Sequence, residues 1–273
     1  MNRLLTFFSL TFLVSWTCFA GAAAIGGGTL SPPPGAAILA GAIFLLGVIA
    51  PSLVALALTA RSAGRVGILT LLRQVINCPR QVRWYVFAVG YMAVIKLAAA
   101  VMHRIGTGEW PPFGRIPFFL IVLAILFSTP VQAGEEIGWR GYALPHLARE
   151  FGLSRASIMV GIIWAFWHLP LFFIPGSDTY HQSFVVALLA ITPLSVAMAW
   201  LYWRGNGSLL LTMLMHAAVN NTTTIVPSAS PAVSPFSFSA SIVGWTTAIL
   251  LWACAVYFLS RMRSVRLQPI QSV

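Results

Sequence analysis

Acid is what this sequence has least of. Only five of its 273 residues are Asp or Glu, against sixteen Lys and Arg, and 8% of the chain is charged in all. Soluble chains carry about a quarter charged residues, so an ordinary soluble domain is excluded. Three cysteines, Cys18, Cys78 and Cys254, stand apart without CxxC spacing. That rules out a disulfide framework and a thiolate metal site. There is no HExxH segment, internal repeat or low-complexity tract. No apolar-span Ser or Cys has a base beside it in sequence, which counts against a serine or cysteine protease. The excess of base, +11, does not form a patch of its own. It sits beside apolar runs, which excludes nucleic acid as a partner and points to an anionic lipid bilayer. No protein partner is indicated.

What fills the chain is hydrocarbon. It is 59% hydrophobic, with mean hydropathy +0.87, and several nearly charge-free runs reach the roughly 20 residues that cross a bilayer as helix. The expectation is an all-α polytopic membrane protein of about eight transmembrane helices: 4–25, 36–60, 84–102, 116–133, 156–174, 183–203, 208–226 and 239–260. Residues 4–25 follow Arg3 and have some features of a secretory signal peptide, but 22 uncharged residues exceed the usual apolar core of one. They are read as a first span. Gly26 to Gly35 is a turn-rich loop, and Pro51 interrupts the second span. The stretch 61–83 carries five arginines, with Ile68, Leu69, Leu72, Val75 and Ile76 on one helical face, which predicts an amphipathic helix on the membrane. Lys96 is expected to snorkel to an interface. His103, His146 and His181 are read as solvated or interfacial, and Gly205-Asn206-Gly207 as a turn. With the N-terminus inside, thirteen of the sixteen basic residues fall on the inner side and two, Arg104 and Arg115, outside. This asymmetry places both termini and the amphipathic helix on the cytoplasmic side of a plasma membrane.

Against that background a few polar groups stand out. Glu135 and Glu136 end the span 116–133, where a central charge costs roughly 3 kcal/mol on insertion scales. Helical neighbours point about 100° apart, so the two cannot serve one point together. Glu136 and Arg140 are i, i+4, a favourable ion-pair order, which leaves Glu135 as the freer carboxylate. A structural ion pair at a helix end is the plain alternative. His168 lies inside the aromatic segment Trp164-Ala165-Phe166-Trp167-His168-Leu169-Pro170, where Pro170 predicts a kink. A lone histidine there is more often a hydrogen-bonded core residue than a ligand. His216 and Asn220 share a helical face with small alanines between them, a pattern that also serves as interhelical glue.

In order along the chain, Glu135-Glu136-xxx-Arg140, Trp164-xxx-His168 and His216-xxx-Asn220 resemble the EExxxR, aromatic-xxx-His and HxxxN/D motifs of the CPBP (CAAX protease and bacteriocin-processing, Abi) family. That family of intramembrane proteases includes the prenyl-protein endopeptidase Rce1. The stretches EEIGWRGY and WAFWHLP resemble bacterial members in particular. The resemblance covers about residues 115–225, with 1–114 preceding this core and 226–273 holding a last span and a basic tail with Arg261, Arg263 and Arg266. Trp164 departs from the family, which often has Phe there, while keeping an aromatic ring.

The resemblance implies an endopeptidase acting on a membrane-associated peptide or membrane protein. Glu135 and His168 would activate water, His216 and Asn220 would stabilise the oxyanion, and Glu136 with Arg140 would hold the site in place. No cofactor is required outright. The family is commonly classed as metalloproteases, and if a metal is present the set is Zn²⁺ on Glu135, His168 and His216. Similarity to Rce1 favours a glutamate-dependent mechanism without metal. A non-catalytic immunity or scaffold role and an ion-coupled transporter are the alternatives.

Overall fold

In hydrocarbon every backbone N–H and C=O must be satisfied within the protein, so runs of about twenty apolar residues form helices. The computed structural model describes residues 2–26, 34–228 and 232–265, and helix is the only regular structure among them. The elements are α1 (Asn2–Ile25), α2 (Pro34–Arg73), α3 (Val82–Thr107), α4 (Phe118–Ser128), α5 (Ala133–Glu136), α6 (Leu144–Phe151), α7 (Leu153–Trp167), α8 (Phe184–Arg204), α9 (Leu209–Thr222) and α10 (Ile242–Met262). Three of them start on a serine cap. The hydroxyls of Ser183, Ser208 and Ser241 accept from the amides of Val186, Leu211 and Gly244 at 3.2, 3.3 and 3.1 Å, satisfying a donor that the helix start leaves orphaned. The Gly205-Asn206-Gly207 turn joins α8 to α9, with Asn206 and Gly207 at positive φ.

Seven helical stretches among the described residues are long and apolar enough to cross a membrane, and the protein is an all-α polytopic membrane protein. The expected seventh span, 208–226, is instead α9, a helix of 14 residues. It lies at the centre, packed by α3, α4, α5 and α8. Its alanines do what small residues allow: Ile121 and Ile125 of α4 pack directly on Ala217 and Ala218.

Several expectations need correction. The fourth span does not end near Ala133; it stays helical from Phe118 to Phe151, through a 3-10 turn at Thr129–Gln132, α5, a π-helix at Ile137–Ala143, and α6. Glu135 and Glu136 therefore lie within the stretch and not at its end. Their polarity marks mutual contacts inside the bundle, not an exit from it. The amphipathic segment continues α2 past a break at Gly64 (φ 57, ψ −153). Its buried residue is Leu71, which lies off the expected stripe, while Leu69, Leu72 and Ile76 are exposed. Lys96 does not snorkel. It is 2% exposed, and its ammonium donates to the Ser228 hydroxyl on the connection after α9. His146 is half-buried, with Nδ1 2.7 Å from the Tyr142 carbonyl. Most of the Gly- and Pro-rich loop, and Arg266, lie outside the described residues.

The π-helix sits hard against α2. A Cβ on Gly138 would fall 2.6 Å from the Pro51 Cβ and 2.7 Å from its carbonyl carbon and oxygen. Gly138→Ala is therefore expected to destabilise the protein by about 1–3 kcal/mol, as overpacking does. Gly90→Ala, with nothing within 4 Å of the new carbon, should not. Thermal unfolding of both variants in one detergent checks this, and equal midpoints would refute the close approach.

Candidate active site

Four elements bring the polar residues together. α5 carries Glu135 and Glu136, the π-helix carries Arg140, and α7 ends on Trp164 and His168 while α9 supplies His216. π-helical turns are rare and frequent at functional sites, and this one has all seven residues buried. Beyond α7 the chain tightens into a 3-10 turn at Leu169–Phe173 containing Pro170, the local break that this proline demands.

Glu136 and Arg140 form an ion pair at 2.7 Å, both side chains at 0% exposure. The same carboxylate oxygen, Oε1, faces His216 Nδ1 at 2.9 Å. A carboxylate only accepts, so Nδ1 carries the proton, and in the neutral ring Nε2 is left with its lone pair. His168 is set the same way: Nδ1 donates to the Trp164 carbonyl at 2.8 Å, again freeing Nε2. Glu135, 7% exposed, takes a different partner. Its Oε2 accepts the indole N–H of Trp164 at 2.8 Å.

Trp164 is thus the hub of the cluster. Its N–H holds Glu135 and its carbonyl holds His168. The Arg140 guanidinium carbon lies 4.3 Å from the ring centroid, within cation–π range. The rings of His168 and His216 meet it edge to face at 5.5 and 5.2 Å. Four of the six candidate residues, namely Glu135, Arg140, His168 and His216, therefore contact one indole, and Glu136 joins them through Arg140 and His216. Asn220 does not join their bonds. It lies one turn beyond His216, exposed, with no side-chain hydrogen bond among the described residues. The sequence motif marks Trp164 only as an aromatic preceding a histidine. The available signal for more was its indole nitrogen, a donor that a phenyl ring lacks.

The donor atoms left for a metal do not form a ligand set as they stand. One Glu135 oxygen is engaged by Trp164, Glu136 by Arg140 and His216, and no group of three His, Cys, Asp or Glu able to hold a metal is found among the described residues. The donors that would hold a Zn²⁺ ion are the second Glu135 oxygen and the Nε2 atoms of His168 and His216, and they are not gathered as a ligand set among the described residues.

A buried carboxylate–histidine centre inside a helical membrane bundle defines the class of protein. Residues 115–222 match the family model described as type II CAAX prenyl endopeptidase Rce1-like. A CAAX prenyl protease 2 of Methanococcus maripaludis is 35% identical over 108 residues, covering 37% of this chain and 37% of that protein. Over this stretch, 108 of its 273 residues, the chain is similar to Rce1-like endopeptidases of the CPBP family, and the match spans little more than a third of this curated relative's length. The matched stretch contains every motif residue discussed above.

Removing one member of the buried pair leaves the other charge uncompensated, which typically costs about 3–5 kcal/mol. Glu136→Gln, which strips Arg140 of its carboxylate, is expected to lower the unfolding midpoint sharply. Glu135→Gln, whose partner is a neutral indole, should lower it much less. Unfolding of the two variants in nanodiscs, followed by tryptophan fluorescence, compares them directly; the reverse order would contradict the assignment of the pair.

Proposed function

We propose that the protein is an intramembrane endopeptidase that hydrolyses a peptide bond in a membrane-associated peptide or membrane protein. The observation that carries this reading is the gathering of Glu135, His168 and His216 from three separate helices around a single indole. The family match over the same residues supports it.

Hydrolysis needs a base for water, a stabiliser for the oxyanion and a proton for the leaving amine. Glu135 is the base: its second oxygen takes a proton from water as the oxygen attacks the scissile carbonyl. His168 accepts the water's other hydrogen at Nε2 and orients it. The proton on Glu135 then passes to the departing amine, and the carboxylate is restored. Asn220 and His216 are the oxyanion donors. Donation from His216 Nε2 requires a doubly protonated ring, for which Glu136 is the counter-ion at 2.9 Å. Glu136 and Arg140 do not touch the reacting atoms; they keep the helices in register.

The substrate is a peptide or membrane protein presented from the bilayer, with a prenylated C-terminal peptide as the class that the relative's name carries. Comparative peptidomics of cells expressing wild type or Glu135→Ala identifies it. Products that depend on Glu135 are expected, and a prenylated family among them would mark the CAAX class. Removing a general base lowers rates about 10²–10⁴-fold, so Glu135→Ala and His168→Ala should each lose cleavage by that order. Full cleavage by both variants would sink the mechanism. Activity that survives exhaustive chelation would support water activated by Glu135 alone, whereas loss of activity restored by Zn²⁺ would demand a metal.

A further inference from the structure

We propose that Trp164 is a positioning residue for Glu135, its indole N–H fixing one carboxylate oxygen so that the other is presented to water. This rests on the reading of Glu135 as the base. A glutamate side chain turns about three bonds, and among the described residues Trp164 Nε1 is the only hydrogen-bond partner of this carboxylate, at 2.8 Å. Whatever orients the indole therefore orients the base.

The indole itself has little freedom. It is buried, with the Arg140 cation on one face and two imidazoles against its edges. Its backbone carbonyl is held by His168. The helix beneath it is seated by close approach to α8. A Cβ on Gly161, three residues earlier, would lie 2.9 Å from the Thr192 Cα and the Ser195 Cβ, and Ser195 Oγ donates to the Ser157 carbonyl at 3.1 Å. Reactive groups need placement to within a fraction of an ångström, since a shift of about 1 Å can cost 10²-fold in rate.

A merely structural tryptophan would not need this contact. Trp139 and Trp167, buried beside each other with ring centroids 6.0 Å apart, leave their indole N–H groups without a partner among the described residues. The bundle therefore tolerates unpaired indoles, and the bond from Trp164 to Glu135 is directed. Phenylalanine at this position would keep the ring for Arg140 and the histidines and would lose only the N–H. The contact is thus specific to this chain's choice of tryptophan.

Two measurements on the full chain in nanodiscs test the proposal. The chain has ten tryptophans. In protein labelled with ¹⁵N-tryptophan, the indole resonance missing from Trp164→Phe belongs to Trp164. It is expected to be protected from solvent exchange in wild type, and to shift and lose that protection in Glu135→Ala. The second measurement is steady-state cleavage of a synthetic peptide spanning a Glu135-dependent site found by peptidomics. Trp164→Phe should lower kcat about 10- to 100-fold, with KM and the unfolding midpoint unchanged. A resonance unmoved by Glu135→Ala, a kcat equal to wild type, or a loss confined to KM or to stability would overturn the positioning role. Failure of the reading beneath it looks different: peptidomics would find no Glu135-dependent product even if the resonance shifted.

Discussion

The Glu136–Arg140 ion pair constrains everything around it. Two full charges at zero exposure carry a desolvation penalty of several kcal/mol each, which attraction offsets only when geometry and further hydrogen bonds are good. Here the pair is reinforced on both sides. His216 faces the carboxylate from α9, and the Trp164 ring lies against the guanidinium from α7. One pair therefore ties the π-helix to two other helices. It also explains why the fourth span can hold so polar a stretch as Gly134 to Gly141 without leaving the bundle.

The division of labour between the two adjacent carboxylates follows from their partners. Glu136 meets the Arg140 cation and the His216 N–H through one oxygen and is wholly enclosed, its second oxygen buried without a partner among the described residues. Glu135 faces a neutral donor and keeps an oxygen uncommitted. Neighbours on a helix point in different directions, so a single EE dipeptide faces two different sets of partners. The polar groups gather at one point and are not strung along a path, which is the pattern of a reaction centre more than of an ion conduit.

Much of this was legible in the sequence where it depended on local spacing. The i, i+4 relation of Glu136 and Arg140 is a property of any helix, and seven of the eight apolar runs counted from the sequence are membrane-length helices. Contacts between distant residues were not legible. Glu135 and Trp164 are 29 residues apart, and nothing in either motif says that an indole N–H will meet a carboxylate. Hydropathy likewise records how apolar a residue is and not what it touches. That is why Lys96 read as an interfacial residue although Ser228 awaits it inside, and why the polar stretch after Ala133 read as the end of a span. The length of α9 was misjudged for a similar reason: residues 223–226 are apolar enough to continue a helix, but they fold into turns.

That shortness has a consequence for water. Fourteen residues at ~1.5 Å each make a helix of about 21 Å, against ~30 Å of hydrocarbon. At its start, Asn77 bonds the Asn206 carbonyl and Ser208 bonds the Asn77 carbonyl, anchoring α9 beside the connection between α2 and α3. The shortfall of about 9 Å therefore falls at the other end, where Asn220 is exposed and irregular backbone follows. Non-helical backbone at that depth is tolerated where it is enclosed by protein or faces a wet cavity. A hydrolase consumes one water per bond cut, and inside a bilayer supply is as much a constraint as activation. A central helix that stops short shortens the dry distance that each water must cross.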